Sequence, residues 1–191
     1  AESKAVLDST AAMDQKEMPE KLVIIGAGYI GLEFASMFAK YGSKVTVLDL
    51  HKQFLPREDD DITSEIKKDM ENSDVTFELG VKINRVDGQT VFYEKDGQSY
   101  EVAADRILVA TGRKPNTENL GLENTGIQLT DRGAVKVDDH LQTTVPNVWA
   151  IGDVKGGLQF TYISLDDFRI IKDQLFGSGK RSLSDRINVP Y

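Results

Sequence analysis

Lys21-Leu22-Val23-Ile24-Ile25-Gly26-Ala27-Gly28-Tyr29-Ile30-Gly31 decides the fold. Leu22 to Ile25 is a short unbroken apolar run, the pattern of a strand buried on both faces of a parallel sheet. A glycine turn follows at once, and then a helical stretch to about Tyr41. Ile30, Phe34, Met37 and Phe38 recur there at i, i+4, i+7 and i+8, and Gly42 stands where a helix stops. Lys44–Asp49 reads as the second strand.

Working outward, Asp59 to Asp61 put negative charge at the start of another helix, whose positive end it suits. Ile62, Ile66 and Met70 are expected to form that helix's buried stripe, and Val75–Glu78 a third strand. The βαβαβ order implies an α/β fold with a parallel sheet, Rossmann-like. Lys82–Val86, Thr90–Glu94 and Ser99–Val102 are joined by Asp87-Gly88 and Asp96-Gly97, which predicts a three-stranded β-meander. Arg106–Val109 returns to the buried-strand pattern, and the first segment closes near residue 111.

Residues 1–20 read as a polar lead-in, with Asp8, Ser9 and Thr10 able to cap a short turn. Beyond residue 111, short strands are expected near Val135–Val137 and Val148–Ile151. A last helix is expected over about Ser164–Phe176, with Ser164 and Asp167 as a capping pair, a Phe168, Ile171, Leu175 stripe, and Gly177 as its stop.

The glycines carry chemistry. Gly26 permits the tight turn, Gly28 lets backbone approach a pyrophosphate, and Gly31 lets helix pack on strand. A helix N-terminus then holds phosphate without any lysine. Asp49, 18 residues after Gly31, can accept hydrogen bonds from ribose hydroxyls. Its carboxylate repels a 2′-phosphate, and no arginine follows until Arg57, so NAD is favoured over NADP. Glu33 reads either as a site residue or as a dipole-stabilising charge on the helix's first turn. Tyr29 is a pocket residue or a packing residue.

Charge agrees with this division. The net charge of −8 lies within residues 1–111, with 13 basic and 21 acidic groups, while 112–191 hold ten of each. That balance argues against a nucleic-acid or polybasic membrane binder, and no apolar run approaches a membrane span. With no cysteine, these residues hold no disulfide, thiolate or Cys-ligated metal. His51 and His140 read as lone surface histidines, and no metal site is expected. The start of the chain has no signal-peptide pattern.

Four ordered motifs make the sequence resemble a known family. They are GAGYIGLEFA at the glycine turn, the Asp49 turn with Phe54-Leu55-Pro56 and Asp59, Ala110-Thr111-Gly112-Arg113-Lys114-Pro115-Asn116, and Thr144-Val145-Pro146-Asn147-Val148-Trp149-Ala150-Ile151-Gly152-Asp153. They closely resemble the pyridine nucleotide–disulfide oxidoreductases, the family of lipoamide dehydrogenase, glutathione reductase and mercuric reductase. The resemblance implies that residues 1–111 are an NAD(P)-binding domain with its lead-in, the domain itself starting near residue 12. It implies that 112–191 are the C-terminal half of an FAD-binding domain.

By the same resemblance, Tyr29 matches the aromatic that covers the nicotinamide pocket and Glu33 the acid beside the nicotinamide. Val81 matches a residue near the adenine, and Gly112 a backbone contact to the dinucleotide. Ile30, inside the glycine turn, counts with the cofactor-binding positions. Gly152 and Asp153 match the turn whose carboxylate binds the ribityl chain of FAD, while Phe160 and Thr161 lie in backbone that approaches the flavin ring. Phe160–Asp167 looks more like the mercuric-reductase-like flavoproteins associated with reactive-chlorine resistance than like lipoamide dehydrogenases.

The family's first FAD glycine motif, its paired redox cysteines and its dimer domain with the catalytic histidine have no counterpart in this sequence. An internal fragment is therefore expected, without a catalytic acid, base or nucleophile of its own. The parent is expected to be a cytoplasmic homodimer that passes hydride from nicotinamide to flavin. A non-catalytic NAD(H)-binding or sensing module is the alternative. A methyltransferase would share the glycine turn and the strand-end acid, but the GAGYIG spacing and the meander argue against it.

Overall fold

The computed structural model describes residues 4–187. It divides into two compact units, Ala1–Gly112 and Arg113–Tyr191.

The first unit is built on a five-stranded, wholly parallel sheet. In chain order its elements begin with β1 (Val6–Leu7), α1 (Ser9–Met13), β2 (Lys21–Ile25), α2 (Tyr29–Lys40) and β3 (Lys44–Asp49). Next come α3 (Asp60–Glu71), β4 (Val75–Leu79), a meander of β5 (Lys82–Asp87), β6 (Thr90–Lys95) and β7 (Gln98–Ala103), and β8 (Arg106–Val109). The sheet order is β1-β8-β2-β3-β4. The meander forms its own antiparallel sheet in the order β5-β6-β7.

The apolar run of β2 has a simple cause. Leu22 and Ile24 enter one core with Phe34, Ala35 and Phe38 of α2. Val23 and Ile25 enter another with Val91 and Tyr93 of the meander. The sheet is thus covered by helices on one face and by strands on the other, so no position of β2 after Lys21 can be polar.

One expectation about this unit fails, and one strand was not foreseen. The lead-in contributes β1, which pairs with β8, Val6 opposite Ile107 and Leu7 opposite Leu108. Asp8 does act as a cap: its side chain accepts the Ala11 N–H at 2.7 Å, at the start of α1. In α3, Ile62 and Ile66 are exposed, and Thr63 and Met70 form the buried face. Met70, seven residues on from Thr63, carries most of the apolar contact.

The second unit contains one long helix, α4 (Thr161–Phe176), and two 3-10 turns, Leu122–Asn124 and Gly152–Lys155. Val135–Val137 and Val148–Ile151 are not strands. They make only isolated bridges, Leu129 to Val135, Val137 to Thr143 and Gln142 to Trp149. The helix starts three residues before Ser164, so Ser164 and Asp167 lie inside it and do not cap it. Phe168 and Leu175 of the expected stripe are half exposed, while Ile163, Asp167 and Ile170 face inward. Gly177 comes directly after the last helical residue, as expected.

Candidate functional site

The glycine turn sits at the carboxyl end of β2, flanked by β3 and β8. This is the position in an open α/β sheet where ligands bind, outside the strand ends where chain order reverses direction. Two of its glycines are demanded by the fold itself. Gly26 has φ of 111°, and a Cβ on it would lie 2.5 Å from the Ala110 carbonyl oxygen. A Cβ on Gly31 would lie 2.0 Å from the Gly26 oxygen, so only glycine lets α2 pack this closely.

Gly28 is different. Its φ is −77°, which any residue adopts, and a Cβ there would meet nothing within 4 Å. It starts α2 with no side-chain cap. A helix start leaves backbone N–H groups without helical acceptors and concentrates positive potential, which suits an anion. Gly28 also lines a cavity of about 380 Å³, together with Gly26, Tyr29, Asp49 and Gly112. The protein's own packing therefore does not require glycine at this position.

Asp49 closes the turn from β3. Its Oδ2 accepts the Ala27 N–H at 2.6 Å and its Oδ1 the His51 N–H at 2.7 Å. The His51 ring nitrogen Nδ1 lies 2.8 Å from Oδ1. His51 is thus not a lone surface histidine; it is exposed, yet paired with Asp49 and part of the cavity wall. His140 likewise has neighbours, its Nδ1 lying 3.1 Å from Gln174 Nε2.

The cavity's outer wall comes from the loop after β3. Tyr29 donates its hydroxyl hydrogen bond to the Glu58 carboxylate, and Arg57 and Leu55 stand beside it. Sequence reasoning had no handle on Arg57 and Glu58 as wall residues, because irregular loop backbone carries no periodic signal. Ile30, Glu33 and Val81 are not brought to this cavity by their side chains. Ile30 packs on the helical core. Glu33 is exposed on the second turn of α2, not the first. Val81 is buried in the meander-side core, and only its N–H reaches Asp49, at 2.9 Å from the carbonyl.

In the second unit Gly152, Asp153, Phe160 and Thr161 line one open cavity of about 740 Å³, with Arg113. Phe160 precedes the first turn of α4, its ring stacked on Tyr162 with centroids 5.6 Å apart. Gly152 is left-handed, φ 69°. Behind the turn lies a partly buried ionic cluster of Lys155, Asp166, Asp167 and Arg186, with Asp167 fully buried at its centre. Burial alone would lower the Arg186 pKa, but hydrogen bonds to Asp167 and Asp166 outweigh it and hold the guanidinium above its ordinary value. Among the described residues no group of His, Cys, Asp and Glu could hold a metal ion. No helix among them is long and apolar enough to cross a membrane.

Residues 1–167 match the family model described as pyridine nucleotide-disulphide oxidoreductase, and the chain belongs to that family. It is 50% identical over 186 residues to the probable pyridine nucleotide-disulfide oxidoreductase RclA of Escherichia coli, covering 97% of this chain and 42% of that protein. It is 40% identical over 177 residues to the dihydrolipoyl dehydrogenase of Cupriavidus necator, covering 90% of this chain and 37% of the relative. Among solved structures, the HOCl-induced flavoprotein disulfide reductase RclA from E. coli superposes with a TM-score of 0.89 at 49% identity, over 99% of this chain and 43% of that one. The chain thus spans about two fifths of the length of the relatives it matches.

Proposed function

We propose that residues 1–111 bind the nicotinamide dinucleotide in an FAD-dependent oxidoreductase and that 112–191 supply the C-terminal half of its flavin domain. The observation that carries this is Gly28, a glycine with ordinary backbone and empty space around it at an uncapped helix start. The α2 N-terminus would hold the pyrophosphate and Asp49 the ribose. Tyr29 would stand at the nicotinamide end, with Gly112 contributing backbone. Gly152, Asp153, Phe160 and Thr161 would meet the flavin once the rest of its domain is present.

The dinucleotide supplies a hydride and the flavin accepts it; the protein contributes binding, orientation and exclusion of water. Asp49 favours NAD, and the parent is read as a cytoplasmic homodimer. Arg57 and His51 stand in the same wall as Asp49, so the preference over NADP is moderate. The higher identity to the HOCl-induced reductase than to the dihydrolipoyl dehydrogenase supports the reactive-chlorine subgroup.

The test is a titration of the purified chain with NADH, NADPH and S-adenosylmethionine, with a visible spectrum for flavin. Binding is expected for NADH first, NADPH second, and neither S-adenosylmethionine nor flavin. Tight S-adenosylmethionine binding without NADH binding overturns the dinucleotide reading, and bound flavin overturns the half-domain reading.

A further inference from the structure

We infer that Asp167 is a positioning residue for flavin binding: from inside α4 it fixes the backbone turn that presents Asp153. The inference rests on the flavin reading of this unit and adds to it a residue that does not face the cavity.

Asp167 is fully buried in the middle of a helix. A buried carboxylate is costly unless paired, and an apolar side chain of similar size packs a helix as well or better. Ile163 and Ile170 do so on the same face. What the carboxylate adds is an acceptor. Its Oδ2 takes the Gly152 N–H at 2.8 Å and lies 3.4 Å from Lys155 Nζ, at the other end of the same 3-10 turn. Its Oδ1 is held by Arg186, which Asp166 also holds at 2.7 Å. Two cations and two carboxylates balance, and both oxygens of Asp167 have partners that hold its orientation.

The turn it grips is unusual backbone. Gly152 is left-handed, and a Cβ on it would lie 2.9 Å from Ser164 Oγ, so turn and helix are in close approach. Asp153, the next residue, is half exposed, and its carboxylate has Arg113 only at 3.9 Å. That distance is too long for a hydrogen bond. The place of the Asp153 carboxylate is therefore set by its backbone. At the residue before it that backbone is held by Asp167, while the Asp153 and Val154 carbonyls accept from the Gly156 and Val135 N–H groups.

Three variants of the full-length protein carrying this chain separate positioning from stability, read as flavin dissociation constants after reconstitution of the apoprotein. Asp167→Ala removes the acceptor and is expected to weaken flavin by about tenfold or more, the loss of one charge-assisted hydrogen bond. Asp167→Asn keeps an oxygen for the Gly152 N–H while losing the charge, and is expected to restore affinity to within about threefold of wild type. Lys155→Met disturbs the same ionic cluster but leaves the Gly152 bond, and is expected to stay within the same range. If Asp167→Asn or Lys155→Met falls as far as Asp167→Ala, stability and not position is the cause, and the inference is overturned. Should Asp167→Ala fail to fold, Asp167→Leu, which fills the buried volume without an acceptor, takes its place and is expected to show the same loss. Equal affinity in all variants overturns the inference alone, whereas a wild-type parent that takes up no flavin overturns the flavin reading with it.

Discussion

Asp49 and Ala27 are joined by a hydrogen bond of 2.6 Å, from the backbone nitrogen in the glycine turn to the carboxylate at the end of β3. One side chain therefore does two jobs. It locks the turn against the neighbouring strand, and it faces the cavity where a ribose would lie.

Replacing Asp49 by Ser removes both and tests its part in cofactor choice. NADH affinity is expected to fall by about tenfold, roughly the 1.4 kcal/mol of a hydrogen bond to a charged group. NADPH should lose less, because the same change removes a charge that repels its 2′-phosphate. Paired fluorescence titrations check this, and equal losses would remove the selectivity role.

The glycines should split by cause. Gly28→Ala leaves the fold stable to within about 0.5 kcal/mol, since its backbone is ordinary and its surroundings empty. NADH binding should nevertheless fall by about tenfold or more, because a methyl group now occupies the ligand's approach. Gly31→Ala should do the reverse and lower stability by about 3 kcal/mol by overpacking. Thermal melts beside titrations read both, and a destabilised Gly28→Ala would contradict the ligand argument.

Acid should loosen the end of α4. Asp173 accepts backbone N–H groups from Arg181 at 3.0 Å, Ser178 at 3.0 Å and Lys180 at 2.9 Å. These bonds, that from Arg181 first, hold its pKa below the ordinary value. A carboxylate depressed in the folded state contributes stability above its unfolded pKa of about 3.9, and that contribution is lost as pH falls through the folded value. Amide exchange at Ser178, Lys180 and Arg181 should therefore be slow at neutral pH and lose protection as acid protonates Asp173, relative to amides at the centre of α4. If Asp173→Asn leaves the protection of these amides unchanged at neutral pH, the capping role is refuted.

Arg186→Leu should be among the more damaging single changes in the second unit. It leaves the buried Asp167 with Lys155 as its remaining cationic partner, and breaking a buried ion pair on one side costs about 3–5 kcal/mol. Chemical denaturation measures this directly. A loss under about 1 kcal/mol would mean that water reaches the cluster.

How far the sequence could be read depended on burial geometry. β2 was legible to the residue because both faces are covered and every position after the first is apolar, and β3 because Val45, Val47 and Leu48 are buried between polar ends. The places of Gly26 and Gly31 were legible because each has a local steric reason. α4 was misread because its inward face carries Asp167, a charged residue whose partners Gly152 and Arg186 lie 15 and 19 residues away. An apolar-period reading skips such a residue and settles on Phe168 and Leu175, which are half exposed. β1 was missed since two residues show no period, and its pairing is supplied by β8, far along the chain.

The alternation along β2 has a mechanical consequence. Because Leu22 and Ile24 fill one core and Val23 and Ile25 the other, the strand cannot slip by a single residue. Such a slip would exchange every side chain between two filled interiors. It would also carry the strand end along by about 3.3 Å. Packing along the strand therefore acts as a ruler, fixing where along the sheet the glycine turn begins.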